Sequence, residues 1–194
     1  MKLFHSPFSP FARKVMACAI ARGIEGQITL VSATGEAVEL AAMNPLGKLP
    51  CLITDDGVAL YDSRVICEFL DSVGSVFPMF PAHGPRMRAL LFQALGDGIA
   101  DAAVLGRGEL ARPQEAARDT VLATQRRKID RSLAVLEADP PGAHVDIGSI
   151  AVACALGYID LRFPDNVWRE GRPKLTAWFA TMMREPCLAD TMPG

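Results

Sequence analysis

The run Ser6-Pro7-Phe8-Ser9-Pro10-Phe11-Ala12-Arg13-Lys14-Val15 offers two hydroxyl groups directly before a predicted helix. Pro10 suits the first helical turn, where its missing N–H costs no hydrogen bond, so Ser9 is placed at the N-cap. There the hydroxyl lies beside unpaired backbone N–H groups and the positive end of the helix dipole. The segment therefore predicts a binding site for an anion.

A hydroxyl in this position could stabilise a thiolate. A cysteine-type thiol has a pKa of about 8.5, so lowering that pKa by about two units takes about 2.7 kcal/mol. One hydrogen bond to a charged group supplies about 1.5 to 3 kcal/mol, and a helix N-terminus adds about 0.3 to 1 kcal/mol. One serine hydroxyl at a helix N-terminus is thus sufficient to lower the pKa of a thiol by about two units. We favour Ser9 over Ser6, which precedes Pro7 and lies further from the helix start.

Two further polar segments are candidates for ligand binding: Lys48-Leu49-Pro50 precedes a predicted strand, and Asp62-Ser63 opens a predicted helix. A serine at a helix start can present its hydroxyl and N–H to a carboxylate, and the adjacent Asp62 can hold an ammonium group. The alternative for Asp62-Ser63 is a plain N-cap. The alternative to ligand binding at Pro50 is that this proline has the trans bond that most X-Pro bonds adopt and only begins an edge strand.

The elements that must position these groups alternate in type through the first half of the chain. Asp55-Asp56-Gly57 is a hairpin turn signal between two short apolar runs. The polar stretch from Ser32 to Glu39 has no assignment. The patterns predict strands over 3–5, 28–31, 51–54 and 58–60, and helices over 11–22 and 63–72.

The second half of the chain is predicted to be wholly helical. The run between Gly74 and Pro85 is rich in helix breakers and predicts a boundary between units of residues 1–77 and 86–194, with Phe77 and Phe80 pinning the linker. The helix from Ile147 is apolar on nearly all sides, which is typical of a buried central helix, and Asp146 with Ser149 can cap it. Helices are predicted over 87–104, 114–138, 147–159 and 173–184.

Composition narrows the class of protein. The chain has 194 residues, half of them hydrophobic, and a net charge of -2, which favours a compact soluble protein and disfavours a nucleic-acid partner. Its five cysteines are widely spaced and its three histidines form no ligand-like spacing, so a reduced compartment without a zinc site is expected. We find no secretory leader and no apolar stretch long enough to cross a bilayer, and expect a cytoplasmic protein.

The order of these segments resembles the cytosolic glutathione S-transferase family, in its bacterial, serine-type form. Asn44-Pro45-Leu46-Gly47-Lys48-Leu49-Pro50 is similar to the family's segment before its third strand, and Leu60-Tyr61-Asp62-Ser63-Arg64-Val65-Ile66 to its glutathione-binding step after the fourth. Ser9-Pro10-Phe11-Ala12 takes the place of the Cys-Pro-Tyr-Cys of glutaredoxin-like folds. The resemblance spans essentially the whole chain. It implies an α/β plus all-α architecture, with a thioredoxin-like N-terminal domain followed by an all-helical C-terminal domain.

The resemblance also implies a set of site residues, with glutathione as co-substrate. Pro50 would be cis, so that the Leu49 backbone pairs with glutathione like an added strand. Lys48 would reach the glycine carboxylate, or be a surface lysine. Asp97 and Asp101 share a helix face; an acid there reaches the neighbouring subunit's ligand in some relatives, and the alternative is a pair of dimer-surface charges. The implied catalytic residue is Ser9, and the implied binding residues are Phe11, Lys48, Leu49, Pro50, Asp62, Ser63 and Asp101.

The function implied is attack of a serine-stabilised glutathione thiolate on a hydrophobic electrophilic small molecule, a detoxification chemistry carried out by a homodimer. Phe8, Phe11 and the helix after Met87 would line the electrophile's cleft between the domains. Two alternatives stay open: a non-catalytic glutathione-binding or scaffold protein with a protein partner, and a glutathione-dependent isomerase or thiol reductase. The absence of cysteine at Ser9 counts against reduction, and the sequence does not identify the electrophile.

The remaining reactive side chains have less specific roles. Arg13 and Lys14 could add positive potential near the thiolate, or form a solvated helix face. His5 is expected to be a strand or interface residue. We expect packing roles for Cys18, Cys51, Cys67 and Cys154, and an exposed thiol at Cys187.

Overall fold

A four-stranded mixed sheet forms the centre of the N-terminal half. The computed structural model describes residues 1–32 and 37–192. Strand β1 (Lys2–His5) pairs in parallel with β2 (Thr29–Ser32) and antiparallel with β3 (Cys51–Ile53), which pairs antiparallel with β4 (Ala59–Leu60), so the strand order is β2-β1-β3-β4. The predicted hairpin between β3 and β4 is confirmed, and Gly57 supplies its positive φ of 85°.

Three helices accompany the sheet. They are α1 (Pro10–Ala21), α2 (Ala37–Met43) and α3 (Ser63–Val73), with a short 3-10 turn at Glu25–Gln27. Alternate strand residues point to opposite faces: Leu3 and Leu52 join the main core with α1 and α3, whereas Phe4 and Cys51 form a second cluster with Leu40 of α2. Helix α2 was not predicted. Residues 33–36 of the unassigned stretch from Ser32 to Glu39 lie outside the described residues.

The segment 74–83 connects the sheet half to the helical half. Asp71 accepts hydrogen bonds from the backbone N–H groups of Met79 (2.6 Å) and Phe80 (3.3 Å), and both of these side chains are buried. Phe80 therefore pins the linker as predicted. Phe77 does not, because its side chain is 84% exposed. The division into units of residues 1–77 and 86–194 stays a prediction.

Five helices form the second half, as the all-helical pattern predicts. Helix α6 is buried along nearly its whole length, and its N-terminus carries the predicted capping box: Asp146 Oδ1 accepts from Ser149 N at 2.8 Å, and Ser149 Oγ accepts from Asp146 N at 2.9 Å. The short helix α8 was not predicted. The five are α4 (Gly84–Leu110), α5 (Ala116–Ala138), α6 (Ile147–Arg162), α7 (Pro173–Met182) and α8 (Pro186–Ala189).

Helix α4 corrects one expectation about membranes. It has 27 residues and, by length and composition alone, is apolar enough to cross a bilayer, contrary to the expectation that no such stretch exists. However, 56% of its most apolar 18-residue stretch is buried inside the protein, where α4 packs along α6 and α5. That burial is typical of the core helix of a globular protein.

The cysteines are packing residues. All five are free and buried, which confirms the expectation for four of them and contradicts the exposed thiol expected at Cys187. That side chain is only 5% exposed because α8 packs against α1. Burial raises the pKa of Cys187 to about 11 and that of Cys154 to about 12, so neither is a thiolate near neutral pH.

Two glycines set the close approach of α4 and α6. A β-carbon at Gly96 would lie 2.5 Å from the carbonyl carbon of Ala151 and 2.6 Å from the backbone nitrogen of Val152. A β-carbon at Gly148 would lie 2.5 Å from the carbonyl oxygen of Ala89. Real β-carbons do not approach backbone this closely, so both glycines are required for the helix crossing at the centre of the helical half.

We expect Gly96→Ala to lower the free energy of unfolding by about 1 to 3 kcal/mol, because overpacking forces the two helices apart. Gly98→Ala is the matched control on the same helix, since a β-carbon there meets nothing within 4 Å. It should stabilise the protein by up to about 1 kcal/mol through helix propensity. Denaturant unfolding of both variants tests this, and equal effects would contradict the close packing.

Candidate functional site

Ser9 is the N-cap of α1, as predicted. Its backbone is extended (φ -83°, ψ 120°), and its Oγ accepts a hydrogen bond from Ala12 N at 3.2 Å. Arg13 N donates to the Ser9 carbonyl at 3.0 Å, and Pro10 has no N–H. Among the described residues, the Phe11 N–H therefore has no hydrogen-bond partner. The Ser9 hydroxyl proton and the Phe11 N–H are thus both available at the positive end of the helix.

Ser6 holds the turn that leads into this helix. Its Oγ accepts from Phe8 N at 3.3 Å, and its carbonyl accepts from Ser9 N at 3.0 Å. The Ser6 hydroxyl is therefore part of the loop before α1 and does not cap the helix. This geometry supports the preference for Ser9.

A small crevice, about 10 Å³ in volume and so large enough for about one water molecule, lies directly beside Ser9. The loop before α1 forms one wall and α6 the other, and Phe8 at its rim is 44% exposed. Phe11, predicted to bind the ligand and line the cleft, is partly buried against the main core instead. The lining residues are Pro7, Phe8, Ser9, Pro10, Arg13, Cys154, Tyr158 and Leu161. The crevice therefore combines an apolar wall with the Ser9 hydroxyl.

The segment before β3 has the geometry expected for a backbone-binding site. The Leu49-Pro50 peptide bond is cis, and Pro50 is buried. In the described part of the chain, no residue is a hydrogen-bond partner of the Leu49 backbone. Lys48 is exposed, so its amine could reach a ligand.

Asn44 holds this segment in place, a role the sequence analysis missed. Its side chain is buried; Nδ2 donates to the Lys48 carbonyl at 2.7 Å, and Oδ1 accepts from Leu46 N at 3.0 Å. Its own carbonyl accepts from Gly47 N at 2.8 Å. The Asn-Pro dipeptide is a turn signal that could have identified it.

Asp62 and Ser63 form the start of α3. Asp62 is the N-cap, and its carboxylate accepts a hydrogen bond from Arg64 N at 2.9 Å. Asp62 therefore caps α3, as the alternative to ligand binding predicts. Ser63 is buried at the first helical position, and its hydroxyl has no hydrogen bond with any described residue. The Ser63 hydroxyl and the positive end of α3 thus remain available to a carboxylate.

A buried ion network joins the three helices around the site. Lys14 Nζ lies 2.6 Å from Asp97 Oδ1, and Arg64 Nε lies 2.9 Å from Asp97 Oδ2. Lys14 is 1% exposed and Asp97 is buried too. Lys14 is therefore not on a solvated helix face, and Asp97 is not a surface charge. Only the i, i+4 spacing of Lys14 with the apolar Cys18 signalled this burial.

Arg13 is also buried, which excludes the alternative of a solvated helix face. Its Nη2 donates to the Leu188 carbonyl at 3.0 Å, and its Nε donates to Thr191 Oγ1 at 3.4 Å. A β-carbon at Gly157 would lie 2.4 Å from Arg13 Nη1, so the guanidinium packs directly against α6 at this glycine. The result is a buried positive charge at the wall of the crevice.

Asp101 lies among the charged side chains predicted to bind a zwitterion. Burial and the neighbouring Asp97 raise the pKa of Asp101, Arg64 and Lys48 act to lower it, and Asp62 raises it slightly. Within this chain, Asp101 lies one helical turn after Asp97, which pairs with Arg64 two residues after Asp62. His5, at the end of β1, is half-buried, and burial lowers its pKa.

The described residues do not suggest a metal site. Across residues 1–32 and 37–192, no three side chains of the His, Cys, Asp or Glu type are grouped so as to hold a metal ion. The arrangement instead provides hydroxyl, backbone and charged groups for an organic ligand with ionised ends.

Comparison with known proteins gives one family for both halves. The family model "Glutathione S-transferase, N-terminal domain" matches residues 8–73, and the model "Glutathione S-transferase, C-terminal domain" matches residues 113–181. The uncharacterized GST-like protein YibF of Escherichia coli (strain K12) is 33% identical over 201 residues, covering 100% of this chain and 98% of YibF.

Solved structures agree over the whole chain. A glutathione transferase family member from Pseudomonas fluorescens Pf-5 with bound glutathione is 44% identical, with a TM-score of 0.94 and coverage of 100% of this chain and 98% of that chain. A structure from the same bacterium with bound S-(propanoic acid)-glutathione is 44% identical, has a TM-score of 0.89 and covers both chains fully. A glutathione S-transferase from Methylobacillus flagellatus KT with glutathione bound is 36% identical, with a TM-score of 0.90 and coverage of 100% and 99%. The expected thioredoxin-like plus all-helical fold is confirmed.

We expect Asp97→Asn to lower the free energy of unfolding by about 3 to 5 kcal/mol, because it leaves the Lys14 ammonium buried without a counter-charge. Asp139→Asn is the control, since the Asp139–Arg88 pair is exposed on both sides and its loss should cost about 0 to 1 kcal/mol. The double variant Lys14→Met with Asp97→Leu should recover most of the loss. Denaturant unfolding measures all three, and similar losses for Asp97→Asn and Asp139→Asn would contradict the buried network.

Asp101→Asn should raise the free energy of unfolding at pH 7. Because the pKa of Asp101 is raised in the folded protein, its ionised form costs stability at neutral pH. The cost disappears as the pH falls towards the unfolded value of about 3.9, where the carboxyl is protonated in both states. Urea unfolding of wild type and variant between pH 7 and pH 4 measures the difference. A variant that is less stable than wild type at pH 7 would contradict it.

Proposed function

The chain belongs to the glutathione S-transferase family, and we propose that it binds glutathione and transfers it to a hydrophobic electrophilic small molecule, with Ser9 as the catalytic residue. The observation that carries this proposal is the placement of the Ser9 hydroxyl at the N-terminus of α1, on the wall of a crevice. Close relatives of this chain were solved with glutathione bound.

Three groups of this chain would stabilise a thiolate at that point. The Ser9 Oγ already accepts from Ala12 N, so its proton is free to be donated to sulfur. The Phe11 N–H is a second donor, and the buried Arg13 guanidinium adds positive charge near the crevice wall. A hydrogen bond to a charged group is worth about 1.5 to 3 kcal/mol. Together these groups lower the thiol pKa without a general base.

The remaining predicted site residues would hold the peptide backbone and the charged ends of glutathione. The Leu49 N–H and carbonyl, placed by the cis bond to Pro50, would pair with the central part of the tripeptide as an added strand does. Ser63 at the start of α3 would bind the γ-glutamyl carboxylate, and Asp62 with Asp101 would hold its ammonium group. Lys48 would bind the glycine carboxylate, and Phe11 would contribute its backbone N–H.

The reaction we propose takes place at the open mouth of the crevice beside Ser9, next to the exposed Phe8 side chain. The glutathione sulfur forms a bond to an electrophilic carbon, and the leaving group departs with its bonding electron pair. The Pseudomonas fluorescens relative with bound S-(propanoic acid)-glutathione holds a ligand whose sulfur carries a carbon substituent, which is the kind of product this reaction makes. A homodimer acting in detoxification in the cytoplasm is part of the same proposal.

We expect Ser9→Gly to lower kcat/KM for conjugation of a generic aryl halide by about 10- to 100-fold, the loss of one hydrogen bond to a charged group. Glycine costs only a few tenths of a kcal/mol at an N-cap, so folding is retained. Ser6→Gly removes the same atoms three residues earlier and is the matched control, expected to change kcat/KM by less than about threefold.

Two results would contradict this assignment. A larger loss of kcat/KM in Ser6→Gly than in Ser9→Gly would mean that Ser6, and not Ser9, is the catalytic residue. Glutathione binding by calorimetry without turnover of any aryl halide in the wild type would support the alternative of a non-catalytic glutathione-binding protein.

A further inference from the structure

Arg162 stands over the rim of the crevice. It lies in the last turn of α6, and its guanidinium carbon is 4.4 Å from the centre of the Phe8 ring. Phe8 and Ser9 both line the crevice. The Arg162 Nε is buried without a hydrogen-bond partner. The stacking on Phe8 holds the guanidinium in one place, so the N–H groups that do not bond to Tyr158 form a fixed donor set at the rim.

Tyr158, one helical turn before Arg162, connects this group to a second arginine. Burial raises the pKa of the Tyr158 hydroxyl, and the positive charges of Arg162 and Arg107 counteract it. Arg107 is exposed in the last part of α4. Arg107 follows Gly106, where a β-carbon would lie 3.9 Å from Cζ of Phe163, the residue after Arg162, so the two arginines come from neighbouring parts of α4 and α6.

Within the part of the chain that the structure describes, these charges have no carboxylate partner. Across the described residues, neither Arg162 nor Arg107 nor the buried Arg13 has a carboxylate within ion-pair distance. By contrast, Arg64 pairs with Asp97, and Arg169 pairs with Asp160. None of the residues that line the crevice is acidic. The crevice is thus an apolar cleft with positive charge in its wall and at its rim.

We propose that the electrophile taken up beside Ser9 carries a carboxylate, which Arg162 binds with the help of Arg107 and the Tyr158 hydroxyl. This inference rests on the proposed function and narrows its substrate class. An arginine fork matches a carboxylate in a two-point hydrogen bond, and Phe8 offers an apolar surface for the body of the same molecule. A neutral hydrophobic electrophile would leave the charges of Arg162 and Arg107 without a partner.

The reaction with a halogenated aromatic acid illustrates the chemistry. The glutathione thiol loses its proton to solvent, the sulfur electron pair forms the carbon–sulfur bond, and chloride leaves with the electrons of the carbon–chlorine bond. The carboxylate is not consumed. Its ion pair with Arg162 fixes the reacting carbon near the thiolate.

The test compares two aryl chlorides that differ only in charge: para-chloro-meta-nitrobenzoate and the corresponding benzamide. For each, kcat/KM with glutathione is divided by the uncatalysed rate, which removes the difference in intrinsic reactivity. We expect wild type to favour the benzoate. In Arg162→Gln the benzoate-to-benzamide ratio should fall about tenfold, the loss of one hydrogen bond to a charged group.

Two further variants make the result specific. Because Arg107 is exposed, Arg107→Gln should fold normally, and we expect it to lower the benzoate-to-benzamide ratio by about threefold. If Arg162→Gln does not fold, Arg107→Gln tests the proposal in its place. Arg131→Gln, on the exposed side of α5, removes the same charge at a position with no ion pair in the described residues and should keep the wild-type ratio.

The outcomes separate this inference from the proposed function. An unchanged ratio in both Arg162→Gln and Arg107→Gln, with the benzamide still conjugated, would overturn the carboxylate site and leave the transferase proposal intact. No conjugation of either probe by the wild type would overturn both. A fall in the ratio equal to that of Arg131→Gln would show only a general charge effect and would also overturn the inference.

Discussion

The ion network centred on Asp97 is the interaction on which the arrangement of the site depends. Asp97, buried in α4, binds Lys14 of α1 at 2.6 Å and Arg64 of α3 at 2.9 Å. Ser9 and Ser63 stand at the N-termini of the same two helices. A buried carboxylate must keep its partners, because an uncompensated charge costs several kcal/mol. The network therefore fixes both helix N-termini relative to the central helical half.

Function follows from what those two helix N-termini leave unpaired. Both present a serine and the positive end of a helix dipole, and anions favour that position. Before the cis bond to Pro50, the Leu49 backbone has no hydrogen-bond partner among the described residues. These are the groups that we propose bind a carboxylate, a peptide backbone and a thiolate. The mouth of the crevice beside Ser9, with the Arg162–Phe8 stack at its rim, is where we propose that a second substrate binds.

Features with local causes could be predicted from the sequence, and features that arise from tertiary packing could not. The N-cap at Ser9 and the capping box at Asp146 need only neighbouring residues. The burial of Lys14 depends on Asp97, which lies 83 positions away in the sequence, and no local pattern predicts such a distant partner. Cys187 was expected to be exposed because the docking of α8 on α1 leaves no periodic signal in four residues. The cis form of Pro50 came from the family resemblance, against the general preference for trans.

The measurement that tests the central claim most directly is the pKa of the enzyme-bound glutathione thiol, followed by thiolate ultraviolet absorbance against pH. The account predicts a pKa in the wild type about one to two units below the free thiol's value of about 8.5, and a return towards that value in Ser9→Gly. A bound thiol with an unshifted pKa in the wild type, or the same lowered pKa in Ser9→Gly, would contradict the claim that the Ser9 hydroxyl stabilises the thiolate.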